Sequence, residues 1–357
     1  MARPSCRSWS PSGPRVNVSL ARLSKALALV AGVCALAGFA PAFDWKLPPG
    51  VAPPPVPADN PMTDAKVALG RRLFYDADLS IDGTMSCATC HEQRHAFTDS
   101  NATRPGVHND PGRRNIMALT NVGYVAPLTW ADPRVTRLED QILIPIAGEK
   151  PVEMGFARQE HILTARLGAS ACYQRMFASA FPEARGEVSM ATVGKALAAF
   201  QRTLLSFDAP YDRRKRGEAV AVSAEAARGE VLFFGRRAGC ASCHAGPSFT
   251  DAAGPAPDRA FHRIDLPFSG DQGLGEITGK AADNARFRTP GLRNLAFSAP
   301  YLHDGSAKTV NQAIRRHRAA TALNEGQVTD LVAFLETLSD QGFIADKQFS
   351  LPPQRCD

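Results

Sequence analysis

The hexapeptide SCATCH at residues 86–91 returns with small changes as GCASCH at residues 239–244. Both contain the pattern C-x-x-C-H, which attaches a c-type haem. The two thiols bond to vinyl groups of the porphyrin, and the histidine that follows binds the iron from one face. A zinc site or a redox-active C-x-x-C would be the alternative for a single copy. Two copies in one chain strongly favour haem attachment.

The two motifs therefore assign six residues to two covalently bound haem c groups. We predict that the first haem is held by Cys87, Cys90 and His91, and the second by Cys240, Cys243 and His244. Haems that transfer electrons fill the opposite face of the iron with methionine or histidine, whereas reactive haems leave it open. The residue opposite each histidine thus decides what each iron can do.

The distribution of methionines restricts the ligands of the second haem. The last methionine is Met190, so none follows the second motif. If the C-terminal half supplies a sixth ligand to its own haem, the candidates are His262, His303, His317 and Tyr301. A solvated histidine in a basic stripe is the competing interpretation of His317, which lies in the segment NQAIRRHRAA.

The N-terminus carries the pattern of an export signal. Five basic residues precede an apolar run at 26–40, and Ala40-Pro41-Ala42 forms a small-x-small cleavage site. We predict a Sec-type signal peptide over residues 1–42 and a periplasmic location. An uncleaved membrane anchor is disfavoured, because the run is shorter than the ~20 residues that a span needs. No membrane insertion is expected after the signal is removed.

The net charge gives no support for nucleic-acid binding. The formal charge is +6, and the five basic residues of the signal leave about +1 for the mature chain. The basic run DRRKR at 212–216 is interpreted as a solvated linker. Cys172 and Cys356, which lie outside both the signal and the motifs, could pair in an oxidising compartment or remain unrelated thiols.

Hydrophobic periodicity indicates an all-α protein with long functional loops. Strand-like alternation is nearly absent, and each C-x-x-C-H motif follows a helical segment. We predict two cytochrome c-like haem domains, over residues 43–215 and 216–357, with a boundary near 206–223. Helices are expected at 62–76, 135–145, 158–168, 171–180, 189–206, 221–234, 308–320 and 325–338.

Two segments resemble a known family. RFRTPGLRNLAFSAPYLHDGSAKTV at 286–310 and GRRLFYDADLSIDGTMSCATCH at 70–91 resemble the bacterial dihaem cytochrome c peroxidase and MauG superfamily. The resemblance covers essentially the whole mature chain and includes both haem motifs in order. Residues 59–76 and 127–155 are most similar to the MauG-like branch, which includes the methanobactin-associated dihaem enzyme MbnH.

This resemblance implies roles for individual residues near the domain interface, where the family holds its haems. Trp130 would lie between the haems and relay electrons, with core packing as its alternative role. Gln141, Pro145 and Glu153 would line the distal pocket of the first haem, where Glu153 would act as the general acid and base on peroxide. Glu139 and Asp140 are expected on the outer face of their helix.

The resemblance also implies the ligands of the irons and of a calcium ion. His108 lies one position from the histidine that blocks the first haem in resting peroxidases, and we expect that haem to be open here. His317 takes the position of methionine in the peroxidases and of tyrosine in MauG, so a bis-histidine second haem with His244 is predicted. One calcium ion between the haems would be bound by Asn115, Ser298 and Pro300.

The function implied is peroxide-dependent oxidation of another protein. Hydrogen peroxide would bring both haems to a high-valent (bis-ferryl) state, and an exported partner protein would be oxidised at a tryptophan by long-range electron transfer. The alternative is a cytochrome c peroxidase that reduces peroxide to water with electrons from a small cytochrome c or copper protein. Plain electron carriage is a third possibility. The lack of a methionine for the second haem favours the first of these functions.

Overall fold

The described part of the chain is built mainly from short α-helices. The computed structural model describes residues 43–254, 256, 259–264 and 270–353. Within that part of the chain the α-helices are α1 (Asp64–Tyr75), α2 (Cys87–Cys90), α3 (Leu138–Gln141), α4 (Leu143–Ala147), α5 (Glu160–Ala169), α6 (Ala171–Ala180), α7 (Met190–Arg202), α8 (Pro210–Lys215), α9 (Ala224–Phe234), α10 (Leu274–Thr278), α11 (Val310–Arg315), α12 (Glu325–Glu336) and α13 (Gln341–Ala345).

The helix that precedes each haem motif crosses a partner helix at a glycine. A Cβ atom on Gly70 of α1 would lie 1.9 Å from the carbonyl oxygen of Ala196 in α7. A Cβ atom on Gly229 of α9 would lie 1.9 Å from the carbonyl oxygen of Asp330 in α12. Any larger residue would push the helices apart, so glycine permits both close crossings. The same helix pair therefore occurs twice, once before each motif.

Two apolar cores surround these helix pairs. The first contains Leu69, Leu73 and Phe74 of α1, all fully buried, together with residues of α7. The second contains residues between 233 and 338. The C-terminal segment returns to the first core, where the rings of Phe343 and Phe349 pack edge-on against Phe97.

The expectation of an all-α protein is confirmed. In the described residues the strands are β1 (Phe261–His262) and β2 (Phe287–Arg288), which pair antiparallel with Phe261 opposite Arg288. The expected helix at 135–145 is divided into α3 and α4 at Ile142. The expected helices at 189–206 and 308–320 end early, at Arg202 and Arg315.

The run at 212–216 is largely exposed, as expected for solvated residues, but it is helical rather than an irregular linker. Most of the run lies in α8, because Pro210 begins a helix whose N-terminal turn contains Asp212. Arg213 forms an ion pair with Glu218, and Arg214 forms one with Glu230. The basic side chains are thus paired with acidic neighbours.

The predicted signal peptide at 1–42 and Cys356 lie outside the described residues. The division between residues 215 and 216 stays a prediction. None of the described helices is both long and apolar enough to cross a membrane.

Candidate active site

The histidines of the two motifs are held in the same way. His91 Nδ1 donates to the carbonyl oxygen of Phe97 over 2.7 Å, and His244 Nδ1 donates to that of Phe249 over 3.1 Å. A carbonyl can only accept, so Nδ1 carries the proton and Nε2 keeps its lone pair for a metal. Both phenylalanines have positive φ, 62° and 53°, which turns their carbonyls toward the histidines.

The donor set fits two c-type haems. Cys87, Cys90, Cys240 and Cys243 are all free thiols, as covalent attachment to vinyl groups requires. Burial lowers the pKa of His91, and burial together with the nearby His317 lowers the pKa of His244 to about 4. Both imidazoles are therefore neutral near pH 7, which is the form that binds iron.

A cavity of about 760 Å³ is lined by nearly all the predicted site residues. Residues of both motifs line it, with the exception of Cys87, which packs against the first core. The predicted residues that line the cavity are Cys90, His91, Asn115, Trp130, Gln141, Pro145, Glu153, Cys240, Cys243, His244, Ser298, Pro300 and His317.

His317 faces His244 across the cavity. The ring centroids lie 6.4 Å apart, and the ring planes meet at 60°. One metal ion bonded to both rings would fill this gap, since imidazole–metal bonds are about 2 Å long. His317 Nδ1 donates to the carbonyl oxygen of Ala313 over 2.9 Å and so leaves Nε2 free. The expected position on a helix is wrong, because α11 ends at Arg315 and the extended backbone of His317 starts a short 3₁₀ turn.

Two of the other candidate ligands of the second haem are hydrogen-bonded to other groups, and the third is stacked on a phenylalanine. His262 Nε2 lies 2.6 Å from Asp251 Oδ2, and both belong to a cluster with the Cys243 thiol. The Tyr301 hydroxyl donates to the carbonyl oxygen of Leu295 over 2.8 Å. His303 stacks on Phe287 with centroids 3.6 Å apart. Of the four candidates, the geometry favours His317.

Glu153 lies on the side of the first motif. Val107 N–H donates to the Glu153 carbonyl, and Met154 N–H donates to that of Pro145, so the backbone is fixed next to α4. Burial raises the pKa of the Glu153 carboxyl. Burial is also the main cause that raises the pKa of the Cys90 thiol to about 12, and the nearby Glu153 charge adds to it.

The expectation for Glu139 is wrong, whereas Asp140 is exposed as expected. Glu139 accepts two hydrogen bonds from Arg202, at 2.8 and 3.0 Å, and one from Asn60 at 2.8 Å. All three side chains are buried. The carboxylate of Glu139 thus joins α3 to α7 and faces the interior, because a buried arginine of α7 requires it.

Trp130 is fixed at both ends of the residue. Its Nε1 donates to the carbonyl oxygen of Asn115 over 2.8 Å, and its own carbonyl accepts from Arg288 N–H over 2.9 Å. The residue is 9% exposed. The indole therefore has one orientation at the cavity wall.

The calcium candidates share this wall, whereas His108 does not. Asn115 Nδ2 donates to the carbonyls of Asn101 and Ala102, and Ser298 Oγ donates to that of Leu295. These contacts fix both side chains, and the cation itself stays a prediction. His108 is exposed and is not part of the cavity wall.

The sequence interpretation missed Arg288. This residue lies inside the segment 286–310 that carried the family resemblance, but nothing in the sequence marks it as buried. In the structure it is 7% exposed and lines the cavity.

The chain is similar to known dihaem proteins. Residues 64–220 match the family model described as di-haem cytochrome c peroxidase. The methylamine utilization protein MauG of Methylorubrum extorquens is 36% identical over 80% of this chain and 81% of its own. The cytochrome c551 peroxidase of Pseudomonas aeruginosa is 31% identical over 78% of this chain and 80% of its own.

A solved structure is also similar. A MauG-like protein associated with microbial copper homeostasis superposes with a TM-score of 0.81 and 39% identity, over 87% of this chain and 99% of its own. Family membership implies an oxidoreductase with two c-type haems, in line with the two motifs. The chain belongs to the dihaem cytochrome c peroxidase and MauG family.

Proposed function

We propose that this chain is an exported, periplasmic dihaem enzyme that uses hydrogen peroxide to oxidise a partner protein, at a tryptophan, by long-range electron transfer. The observation that carries this proposal is the imidazole of His317 facing that of His244 at 6.4 Å. His244 and His317 would both hold the second haem, whereas Glu153 would face peroxide at the first.

The two groups would be held by the motif residues already described. Cys87, Cys90 and His91 would hold the first haem, and Cys240, Cys243, His244 and His317 the second. Bound haem iron supplies the redox chemistry that splits the O–O bond of peroxide and stores the two oxidising equivalents.

Glu153 would move the proton of peroxide. Its carboxylate would take the proton from the oxygen that binds and return it to the oxygen that leaves. Burial raises the pKa of this carboxyl, which brings its two protonation states closer in energy near neutral pH. Gln141 and Pro145 also line the cavity and would confine the peroxide next to Glu153.

Trp130 would pass charge between the two ends of the cavity. An indole with a fixed orientation loses little energy to reorganisation when an electron leaves or arrives. The hydrogen bonds to Asn115 and from Arg288 provide that fixed orientation. A calcium ion at Asn115, Ser298 and Pro300 would stabilise the same wall, since hard cations prefer oxygen ligands.

The residue type at position 317 distinguishes this function from that of a peroxidase with a small donor protein. An imidazole donates more strongly than a thioether, so it favours the higher oxidation states of the iron. A second iron with two histidines is therefore suited to storing an oxidising equivalent. A thioether would suit one that accepts electrons from a high-potential donor.

The test is the reaction of fully ferric holoprotein with one equivalent of hydrogen peroxide, followed by absorption spectroscopy. We expect the spectra of both haems to change without prior reduction, and the resting spectrum to return when a protein donor is added. The matched control is the same protein reduced by one electron beforehand. A strict need for that reduction would contradict the proposal and favour the peroxidase.

A further inference from the structure

Arg288 is a buried arginine that forms no ion pair with any carboxylate of the described residues. Three arginines in the described part of the chain are buried, and two of them meet a carboxylate through two hydrogen bonds. Arg202 binds Glu139, and Arg293 binds Asp212 at 2.6 and 2.8 Å.

The contacts of the Arg288 guanidinium are poor by comparison. Its Nε has no hydrogen-bond partner. Nη1 lies 3.4 Å from the carbonyl oxygen of Thr289, and Nη2 lies 3.6 Å from the sulfur of Met117. A buried charge without a counter-charge is costly, so native proteins pair such groups. Within the described part of the chain, no carboxylate supplies the counter-charge that this side chain requires.

Asp251 does not fill this role. Its charge attracts Arg288, but the two form no ion pair. Oδ2 of Asp251 bonds to His262, and Oδ1 is itself buried without a partner. Burial lowers the pKa of Arg288 to about 10, so the guanidinium remains charged at neutral pH.

The backbone holds Arg288 at the end of the cavity that contains His244. Arg288 N–H donates to the carbonyl of Trp130, and Arg288 pairs with Phe261 between β1 and β2. The next carbonyl, that of Thr289, accepts a hydrogen bond from Thr250 Oγ1 over 2.7 Å. Thr250 directly follows Phe249, the residue whose carbonyl orients His244.

We propose that Arg288 binds an anion inside the cavity, and that this anion is a propionate carboxylate of the haem held by His244. The proposal rests on the assignment of two haems to this chain. A guanidinium presents parallel N–H groups that match the two oxygens of a carboxylate. A free anion would offer similar chemistry, but a propionate is brought to the site by a group that is already covalently attached.

The charge of Arg288 would raise the reduction potential of the second haem. The positive charge would keep the propionate ionised across the working pH range. It would also favour the ferrous iron, which carries one positive charge fewer than the ferric iron. Loss of the charge would therefore lower the reduction potential.

The experiment compares holoproteins of Arg288→Gln, Arg288→Lys and the matched control Arg286→Gln. Arg286 lies two positions away with its side chain 43% exposed, so it loses the same charge near the surface. The midpoint potential of each haem is measured as a function of pH in resting protein, without peroxide.

We expect a fall in the potential of the second haem in the Gln variant only. That potential should also become pH-dependent and rise as the pH is lowered, because the propionate then takes up a proton. The Lys variant should keep a nearly wild-type, pH-independent value. If the Gln variant fails to retain haem, the Lys variant provides the test. A lower or newly pH-dependent potential of the second haem in the Lys variant would contradict the proposal.

Two results would overturn the assignment. One is an unchanged potential and pH profile in the Gln variant with both haems bound. The other is a wild-type potential that shifts with added phosphate or chloride, a response absent in the Gln variant, since this would identify a free anion. Neither measurement involves partner oxidation, so a failure here with two haems present leaves the proposed function standing.

Discussion

The ring of His317 lies 6.4 Å from the ring of His244, and both present Nε2 because their Nδ1 atoms donate to backbone carbonyls. This pair distinguishes the two ends of the cavity.

Replacing His317 with alanine should convert the second haem from low spin to high spin, since one strong axial ligand is lost. The change is measured by absorption and electron paramagnetic resonance spectra of the ferric protein. His108→Ala is the matched control, because His108 is exposed and should leave both spectra unaltered. A low-spin second haem in the His317 variant would remove this residue from the ligand set.

Replacing Glu153 with glutamine should slow peroxide activation by ~10²–10⁴-fold, as expected for loss of a general acid–base group. Burial raises the pKa of Glu153, so the acid limb of the wild-type pH–rate profile should lie above the ordinary range for glutamate. The rate should fall as the pH drops through that limb, because the carboxyl becomes protonated and can no longer accept the proton. Stopped-flow kinetics of the Gln variant should show no such limb, and retention of it would assign the titration to another group.

Replacing Trp130 with phenylalanine should slow charge exchange between the haems while both remain bound. Phenylalanine keeps most of the apolar contact but loses the hydrogen bond to Asn115, at a cost of ~0.5–1.5 kcal/mol of unfolding free energy. Tyr124→Phe loses a comparable bond, to Ala52, and serves as the control. Equal kinetics of the two variants after peroxide addition would leave Trp130 with a packing role only.

Replacing Glu139 with alanine should lower the unfolding free energy by ~3–5 kcal/mol, because Arg202 would be left buried and unpaired. Burial tends to raise the pKa of Glu139, but hydrogen bonds from Arg202 and Asn60 outweigh it and lower the pKa. The stabilisation is thus complete above the pKa of the unfolded state and is lost as the pH falls through the lower folded value. Denaturation as a function of pH measures this effect. Asp140→Asn, at an exposed neighbour, should cause little change.

Removing calcium should destabilise the protein if the ion binds at Asn115, Ser298 and Pro300. A ligand present at 100 times its Kd contributes ~2.7 kcal/mol, so thermal unfolding should shift downward when a chelator is added. Readdition of calcium should restore the transition, and magnesium should restore it poorly because it demands a tighter octahedral site. A thermal unfolding temperature that stays the same when the chelator is added would argue against a bound cation.

Local patterns were sufficient to predict most helices. Thr63 caps α1 and Ser189 caps α7 by accepting hydrogen bonds from backbone N–H groups three residues later, so local interactions set where both helices begin. The boundary of α11 was overestimated, since the apolar pattern continues past Arg315 while the backbone becomes extended at His317. Helix ends without a strong cap are decided by tertiary contacts.

The same reason explains the residues that were misjudged. The expectation that Glu139 lies on the outer face of its helix is wrong because its burial depends on Arg202, which is distant in sequence. Arg288 was missed because its environment is built by β1, Met117 and Trp130 together. A buried charge is defined by its neighbours in space, which a single sequence does not reveal.

The carbonyls that orient His91 and His244 belong to phenylalanines that are 0% and 2% exposed and lie within the two cores. Left-handed backbone is unfavourable for such bulky residues, so tight packing must maintain it. Loosening either core would let the carbonyl turn away and the imidazole tilt while the helices still stood. A mutation in either apolar core would therefore change the reduction potential of a haem before it measurably changed the thermal stability of the protein.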